Sequence, residues 1–166
     1  NPQAFADTPE LAWGFYGHRL QLYRDTLPHA GFGILLELAA HMPHGAYVFT
    51  SNVDGQFQKA GFDENRIVEC HGSIHHQQCI EPCSQSIRSA NNIVVDIDTE
   101  HCLWRSALPR CLQCGAVMRP NILMFNDYSW ISSRTDGQIE RMCDWRSTVG
   151  QLVVIELGAG KAIPTV

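Results

Sequence analysis

Four cysteines in two close pairs are the side chains whose spacing points most directly to a chemical role. Cys79 and Cys83 have three residues between them, and Cys111 and Cys114 have two. Two such pairs of thiolates are typical of a tetrahedral zinc site, and four protein ligands leave no coordination position for a substrate. The alternative is that the pairs are free thiols or disulfides. We predict one structural Zn²⁺ per chain at these four cysteines.

The chain contains seven cysteines, an odd number that suits metal ligation in a reducing compartment better than a secreted disulfide framework. We therefore expect a cytoplasmic location. Cys70, Cys102 and Cys143 lie outside the two pairs, and we expect them to be buried as small hydrophobic side chains. If one of the paired cysteines points away, another nearby side chain could replace it as a ligand. These candidates are Cys102, His75, His76 and His101.

Two apolar runs are each followed by polar residues. Ala46–Phe49 has the composition of a buried strand and precedes Asn52 and Asp54, and Arg66–Cys70 is a second short strand that precedes His71. In an open parallel sheet the carboxyl ends of the strands face the crevice where ligands bind. An imidazole at that place can act as a base near neutral pH. The alternatives are a plain turn after the first run and a histidine with no catalytic role.

A helical pattern runs from Pro9 to Leu27, with apolar residues near a 3.6-residue period. Tyr16 and Arg19 are about one turn apart on the same face of this helix, so a hydroxyl and a guanidinium could converge on one anion. The alternative is a solvated arginine beside an amphipathic tyrosine.

The remaining elements are predicted from composition. Pro28–Met42 is apolar on nearly all sides, so we expect a second helix that the sheet covers. Ile93–Ile97 alternates weakly, as a strand does, and Gln151–Leu157 is predicted as a strand that leads into the glycine-rich residues Gly158–Lys161. That loop lacks the spacing and the Ser/Thr of a P-loop.

Composition limits the classes of partner. With 166 residues and 45% hydrophobic content, the chain can bury one sizeable core, which indicates one domain with a small appended lobe. A net charge of −5 without a run of lysine or arginine argues against a nucleic-acid partner. No apolar run approaches the length of a membrane-spanning helix, and no signal peptide is visible. We expect neither nucleic acid nor a membrane as partner.

The order of these motifs resembles the sirtuin family of NAD-dependent protein deacylases. Thr50–Gly55, then Cys70–Ser73, then the two cysteine pairs follow one another as they do in that family. The resemblance implies an α/β fold, with a Rossmann-like parallel sheet, helices on both faces of it and a small inserted zinc-ribbon lobe. It places a Rossmann-like part at residues 1–78, the zinc-binding lobe at 79–117 and the rest of the Rossmann-like part at 118–166.

The resemblance also implies NAD as cofactor. The implied cofactor-binding residues are Ser51, Asn52, Asp54, Gly158, Ala159 and Gly160. Ser51 stands where the family has a glutamine that holds the nicotinamide ribose. The glycine-rich loop resembles the family's Gly-Thr-Ser stretch, but without its hydroxyl groups, so any contact with the cofactor there would come from main-chain amides.

The implied substrate is an acyl-lysine protein or peptide. Tyr16 and Arg19 match the Tyr-x-x-Arg signature of the sirtuin class that removes succinyl, malonyl or glutaryl groups, where the pair binds the acyl carboxylate. Met118–Asp127 resembles the family segment whose end offers a backbone edge to the acyl-lysine peptide, which assigns Phe125 and Asn126 to substrate binding. Asn126 and Asp127 replace the family's Gly and Glu.

In the family, the acyl oxygen attacks the nicotinamide ribose, and the products are nicotinamide and O-acyl-ADP-ribose. The resemblance implies that His71 is the general base on a ribose hydroxyl. Three hypotheses follow: a succinyl- or malonyl-lysine deacylase, a deacetylase or ADP-ribosyltransferase on the same fold, and a non-catalytic NAD- or zinc-binding module. Sirtuins carry a Gly-Ala-Gly turn ahead of the equivalent region and a last strand after it. The sequence contains neither, so we expect it to be a fragment that is inactive alone.

Overall fold

A computed structural model describes residues 1–158 of the chain. Ala159 and Gly160 lie outside the described residues. The helices within that range are α1 (Gln3–Asp7), α2 (Pro9–Asp25), α3 (Ala30–Ala40), α4 (Gln56–Lys59) and α5 (Ser133–Thr148). The strands are β1 (Val48–Thr50), β2 (Ile67–Glu69), β3 (Gly72–Cys79), β4 (Arg88–Ser89), β5 (Ile97–Asp98), β6 (Leu103–Trp104) and β7 (Met118–Ile122). None of the helices in residues 1–158 combines the length and the hydrophobicity needed to cross a membrane.

The strands form one parallel pair and two antiparallel groups. β1 and β2 run parallel, with Val48 opposite Ile67 and Thr50 opposite Glu69. The strand β3 lies between β4 and β7 in an antiparallel sheet, and β5 and β6 form a separate hairpin. Because β3 follows β2 after only two residues, the antiparallel sheet begins directly where the parallel pair ends. The short parallel pair is the part of the described chain that corresponds to the expected parallel sheet.

The main hydrophobic core lies between α2 and the antiparallel strands. Trp13 of α2 is 1% exposed, and its indole nitrogen donates a hydrogen bond to the carbonyl oxygen of Met118 at 2.8 Å. The Trp13 ring lies 5.6 Å from that of Trp104. At Gly14 an added Cβ atom would lie 1.8 Å from the carbonyl oxygen of Cys102, so only glycine lets the helix approach the β5–β6 hairpin this closely.

The predicted helix at Pro9–Leu27 is confirmed as α2, but the second helix differs from its prediction. No residue of α3 is buried, and Ile34 is 67% exposed. The expectation that a sheet covers α3 was therefore wrong for the described chain. The physical reason is size: the parallel pair has two strands of three residues each, which cannot cover a helix of eleven residues.

Four further expectations are corrected. The run after α3 does form a strand, at Val48–Thr50, but it is half-buried, with Phe49 37% exposed. At 93–97 only the last residue lies in a strand, β5, because the preceding segment turns along α2, where Arg24 binds the carbonyl oxygens of Ala90 and Ile93. Residues 151–157 form no strand and are exposed, since no described strand pairs with them. Of the three unpaired cysteines, Cys143 is exposed, and the other two are half-buried.

Candidate functional site

The two parallel strands bring Asn52 and His71 to the same edge of the sheet. Thr50 and Glu69 are paired in register, and Asn52 and His71 each lie two residues beyond that pair. Just past the strands, the amide of Cys70 donates to the carbonyl oxygen of Thr50 at 2.9 Å. The structure thus brings the two predicted polar clusters together at the carboxyl ends of the strands, where ligand-binding crevices form in parallel sheets.

The polar side chains that follow β1 divide into one that shapes the backbone and two that are exposed. One carboxylate oxygen of Asp54 accepts a hydrogen bond from the amide of Gln56 at 3.0 Å, and the Asp54 carbonyl oxygen lies 2.8 Å from Nε2 of His75. Asp54 therefore shapes the turn into α4 as well as lining the site. Ser51 and Asn52 are exposed and available to a ligand. The turn interpretation and the site interpretation of this segment are thus compatible.

His71 is half-buried and held through its main chain. Its carbonyl oxygen accepts a hydrogen bond from the amide of Leu123 at 2.9 Å, which ties the end of β2 to the residue after β7. The next residue, Gly72, has φ of +78°, a conformation that side chains with a Cβ atom rarely adopt. A Cβ atom there would also lie 2.1 Å from the carbonyl oxygen of Asn121. His71 thus directly precedes a turn that requires glycine at position 72.

Gly72→Ala is expected to destabilise the fold by about 2 kcal/mol or more, because the strained φ and the backbone clash add together. Chemical denaturation of the variant and of Gly33→Ala checks this. Gly33 is a suitable control because an added Cβ atom there has open space and an ordinary helical conformation. Equal free energies of unfolding for both variants would contradict the close approach at Gly72.

A buried polar layer behind His71 was missed by the sequence analysis. Glu69 is 1% exposed, and its carboxylate forms an ion pair with Arg134 of α5. The Glu69 main chain is also bound by α5, since its carbonyl oxygen accepts from the Thr135 hydroxyl at 3.0 Å and its amide donates to the Gln138 side chain at 3.0 Å. These contacts fix the end of β2. In the sequence, the one indication of these contacts is Glu69, a charged residue inside an apolar run.

Tyr16 and Arg19 lie on one face of α2, as predicted, but Arg19 has partners on its own helix. Its guanidinium donates to the Tyr23 hydroxyl at 3.3 Å and stacks 4.7 Å from the centre of the Phe15 ring. Tyr16 packs its ring 5.4 Å from that of Phe5. Burial raises the pKa of Tyr16, and the nearby positive charges of Arg119 and Arg19 oppose that rise. The Tyr16 hydroxyl is therefore a neutral donor at physiological pH.

Phe125 and Asn126 lie in the loop after β7 and are both exposed. Asn126 has φ of +59°, which asparagine tolerates better than most residues. The neighbouring Asp127 side chain is fully buried and pairs with Arg119 at 2.8 Å. Gly158, by contrast, ends the exposed segment after α5, and no described strand places it beside the other cofactor-binding candidates.

The four paired cysteines converge. Their sulfur atoms all lie within 4.8 Å of one another, and the Cys79–Cys114 and Cys83–Cys111 pairs are each 3.5 Å apart. A tetrahedral zinc with Zn–S bonds of about 2.3 Å requires sulfur atoms about 3.8 Å apart, so the donor set fits this ion. None of the other candidate ligands belongs to this cluster in the described residues.

The electrostatics of the cluster also fit a cation. Main-chain amides of Cys114 and Gln113 that donate to the Cys111 sulfur lower the pKa of that thiol to about 6. Hydrogen bonds with the sulfurs of Cys114 and Cys111 raise the pKa of Cys83 to about 12. The cluster therefore favours some thiolates and opposes others. A bound dication removes this conflict because it stabilises all four thiolates at once.

Known proteins with similar sequences and structures point to one family. A family model described as "Sir2 family" matches residues 1–154. A protein of Pyrobaculum aerophilum named "NAD-dependent protein deacylase 2" is 32% identical over 126 residues, which cover 76% of this chain and 45% of the relative. One of Aquifex aeolicus named "NAD-dependent protein deacylase" is 30% identical over 126 residues, with 76% and 47% coverage.

A solved structure described as a Sir2 homolog–NAD complex superposes with a TM-score of 0.59 at 25% identity, over 85% of this chain and 50% of the other. The chain spans about half the length of the curated relatives it matches. The parallel strand pair lies at the first two sequence motifs, and the two cysteine pairs form one cluster, as expected from the sequence. Because the family model matches nearly the whole sequence, the chain belongs to the Sir2 family.

Proposed function

We propose that the full protein containing this chain removes acyl groups from protein lysine side chains in an NAD-dependent reaction. The observation that carries the proposal is the meeting of Asn52 and His71 at the carboxyl ends of two parallel strands. Membership of the Sir2 family and the names of the similar proteins support it. The four-cysteine zinc site would stabilise its lobe without taking part in the chemistry.

The residues of this chain have distinct tasks in the proposed reaction. NAD, when bound, supplies the ribose carbon that receives the acyl oxygen. With NAD bound, the half-buried imidazole of His71 would accept the proton of a ribose hydroxyl. The exposed amide of Asn52 and the free carboxylate oxygen of Asp54 orient the ribose and carboxamide groups. The reduced thiolates of the zinc site suit a cytoplasmic location.

We propose further that the acyl group is acidic, with succinyl or malonyl as the expected examples. Arg19 is exposed, and its partners, the Tyr23 hydroxyl and the Phe15 ring, leave its positive charge unpaired among the described residues. The Tyr16 hydroxyl has no hydrogen-bond partner in the same part of the chain and lies near enough to Arg19 to feel its charge. Together the two groups form a site for one carboxylate.

Arg19→Met is expected to reduce kcat/KM for a succinyl-lysine peptide by about 10- to 100-fold, because it removes a charge-assisted hydrogen bond. Turnover of the matched acetyl-lysine peptide should stay within about twofold, since acetyl carries no charge. Arg141→Met, which removes an exposed arginine from α5, is the control and should alter neither peptide. An equal loss with both peptides would mean that Arg19 does not recognise the acyl carboxylate.

The experiment that tests the proposed function is nicotinamide release by the full natural protein, with NAD and matched acetyl- and succinyl-lysine peptides. Turnover that favours the succinyl peptide supports the acidic-acyl deacylase. Turnover that favours the acetyl peptide supports the deacetylase instead. A folded, zinc-loaded protein that releases no nicotinamide with either peptide would leave a binding module as the function.

A further inference from the structure

Three side chains follow one another along one face of α2, each about one turn from the next: Phe15, Arg19 and Tyr23. The Cζ atom of Arg19 lies 4.7 Å from the centre of the Phe15 ring, and its Nη1 atom donates a hydrogen bond to the Tyr23 hydroxyl at 3.3 Å. Residues four apart on a helix are neighbours on its surface, so each partner reaches the guanidinium from an adjacent turn. Arg19 is therefore held from both directions along the helix.

Neither of these two partners carries a negative charge. Three other arginines of the described chain are paired with carboxylates: Arg105 with Asp98, Arg119 with Asp127 and Arg134 with Glu69. Within residues 1–158, no such ion pair is formed by Arg19. A carboxylate of the protein would compete with a bound anion for the guanidinium, whereas an aromatic ring and a neutral hydroxyl leave the charge in place. The two contacts thus hold Arg19 without neutralising it.

The contact with Tyr23 also leaves the donors of Arg19 that suit a carboxylate. It uses an N–H group of Nη1, and the described residues accept no hydrogen bond from Nη2 or Nε. Those two atoms carry parallel N–H groups, which is the arrangement that binds both oxygens of one carboxylate. A long side chain loses conformational freedom when a ligand orders it, and a side chain that is ordered beforehand avoids most of that cost. Arg19 is therefore arranged in advance for an anion.

The end of α2 that carries Tyr23 is fixed to the segment of the cofactor-binding candidates. The side chain of Gln56, which is 7% exposed, donates to the Tyr23 carbonyl oxygen at 3.1 Å. Lys59, also in α4, donates to the carbonyl oxygen of Arg24. The amide of Gln56 in turn binds the carboxylate of Asp54. Tyr23 is therefore held at a fixed position relative to the proposed cofactor site, and the Arg19 guanidinium is held through Tyr23.

We propose that Tyr23 is a positioning residue for Arg19, and that its hydroxyl increases the preference of the site for acidic acyl groups over acetyl. The inference rests on the proposed function, because it takes the acyl carboxylate as the ligand of Arg19. Tyr23 acts on that ligand only through the guanidinium. Tyr23→Phe keeps the ring and removes the hydroxyl, so the guanidinium regains rotational freedom that a bound carboxylate must then restrict.

The test measures the affinity of the full natural protein for two fluorescent peptides that differ only in carrying succinyl-lysine or acetyl-lysine. Tyr23→Phe is expected to weaken binding of the succinyl peptide about 3- to 10-fold and to leave the acetyl peptide within about twofold. Tyr47→Phe is the matched control. It removes a hydroxyl that binds the carbonyl oxygens of Asn65 and Gln138, outside α2, and should leave the ratio of the two affinities unchanged.

A double variant separates positioning from direct contact with the acyl group. In Arg19→Met there is no guanidinium to hold, so adding Tyr23→Phe should not lower the ratio of succinyl to acetyl affinity any further. A further fall would mean that Tyr23 contacts the succinyl group itself, which overturns the positioning role. A general loss of structure would weaken the binding of both peptides together and would also overturn it.

Turnover is measured separately, so that the two proposals fail in different ways. If the affinity ratio falls as expected in Tyr23→Phe but neither peptide yields nicotinamide, the positioning of Arg19 is supported and the deacylase proposal fails. If Arg19→Met lowers the ratio and Tyr23→Phe does not, the acidic-acyl proposal is supported and the positioning inference is wrong. If the unmodified protein binds both peptides equally, the acidic-acyl proposal and the inference fail together.

Discussion

His71→Ala is expected to reduce formation of the deacylated peptide from NAD and an acyl-lysine peptide by about 100- to 10 000-fold. A positioned general base contributes about that factor, and the alanine side chain cannot accept the proton. The hydrogen bond that places this residue, from the Leu123 amide to the His71 carbonyl oxygen, involves only the main chain and survives the substitution. The fold and the peptide affinity should therefore change little. The measurement is single-turnover formation of the deacylated peptide, beside peptide binding by anisotropy.

The matched control for this experiment is His44→Ala. His44 is an exposed histidine, and only its carbonyl oxygen forms hydrogen bonds, as acceptor for Arg66 and for the Trp145 indole. It lies on the turn that leads into β1, whereas His71 follows the carboxyl end of β2. A loss of activity with both variants would indicate unfolding. Full activity of His71→Ala would show that the base lies elsewhere.

The sequence predicted the positions of the candidate site residues better than it predicted which surrounding elements are buried. Asn52 and His71 each follow an apolar run, and local pattern is enough to place a polar residue at a strand end. The cysteine spacing likewise identifies ligands by chemistry alone. In contrast, the exposed face of α3 depends on which strands lie above it, and a composition that favours burial cannot show whether the covering layer is present.

The buried ion pairs were unpredictable for a different reason. Arg119 and Asp127 are both fully buried, and Glu69 binds Arg134 from a helix 65 residues away along the chain. Charged residues are rarely buried, and the pairing of distant partners depends on the completed tertiary structure. The same holds for the hydrogen bond from Trp13 to Met118, which spans 105 residues. These tertiary contacts fix the positions of the elements around the site, whereas the short sequence motifs only identify candidate site residues.

Removal of zinc is expected to have the largest effect on stability. A strong chelator should release one zinc per chain and lower the free energy of unfolding by about 5 kcal/mol or more, because binding to a structural four-thiolate site contributes directly to folding. The loss of stability should spread from the zinc-binding lobe to the main hydrophobic core. Cys79 pairs with Met118 across β3 and β7, and the Met118 carbonyl oxygen accepts the hydrogen bond of Trp13. Amide exchange should therefore rise at Ile80 and Cys111 first, followed by a change in tryptophan fluorescence.

Two cysteine variants test whether zinc binding depends on the four-cysteine cluster or on exposed thiols in general. Cys83→Ser removes one ligand from the four-sulfur cluster and is expected to abolish stoichiometric zinc, even though the side chain is on the surface. Cys143→Ser removes an exposed thiol from α5, outside the cluster, and should retain one zinc per chain with unchanged stability. Stoichiometric zinc in Cys83→Ser would contradict the four-cysteine assignment. Since Cys83 contributes little buried surface, a loss of stability there reports on the metal and not on packing.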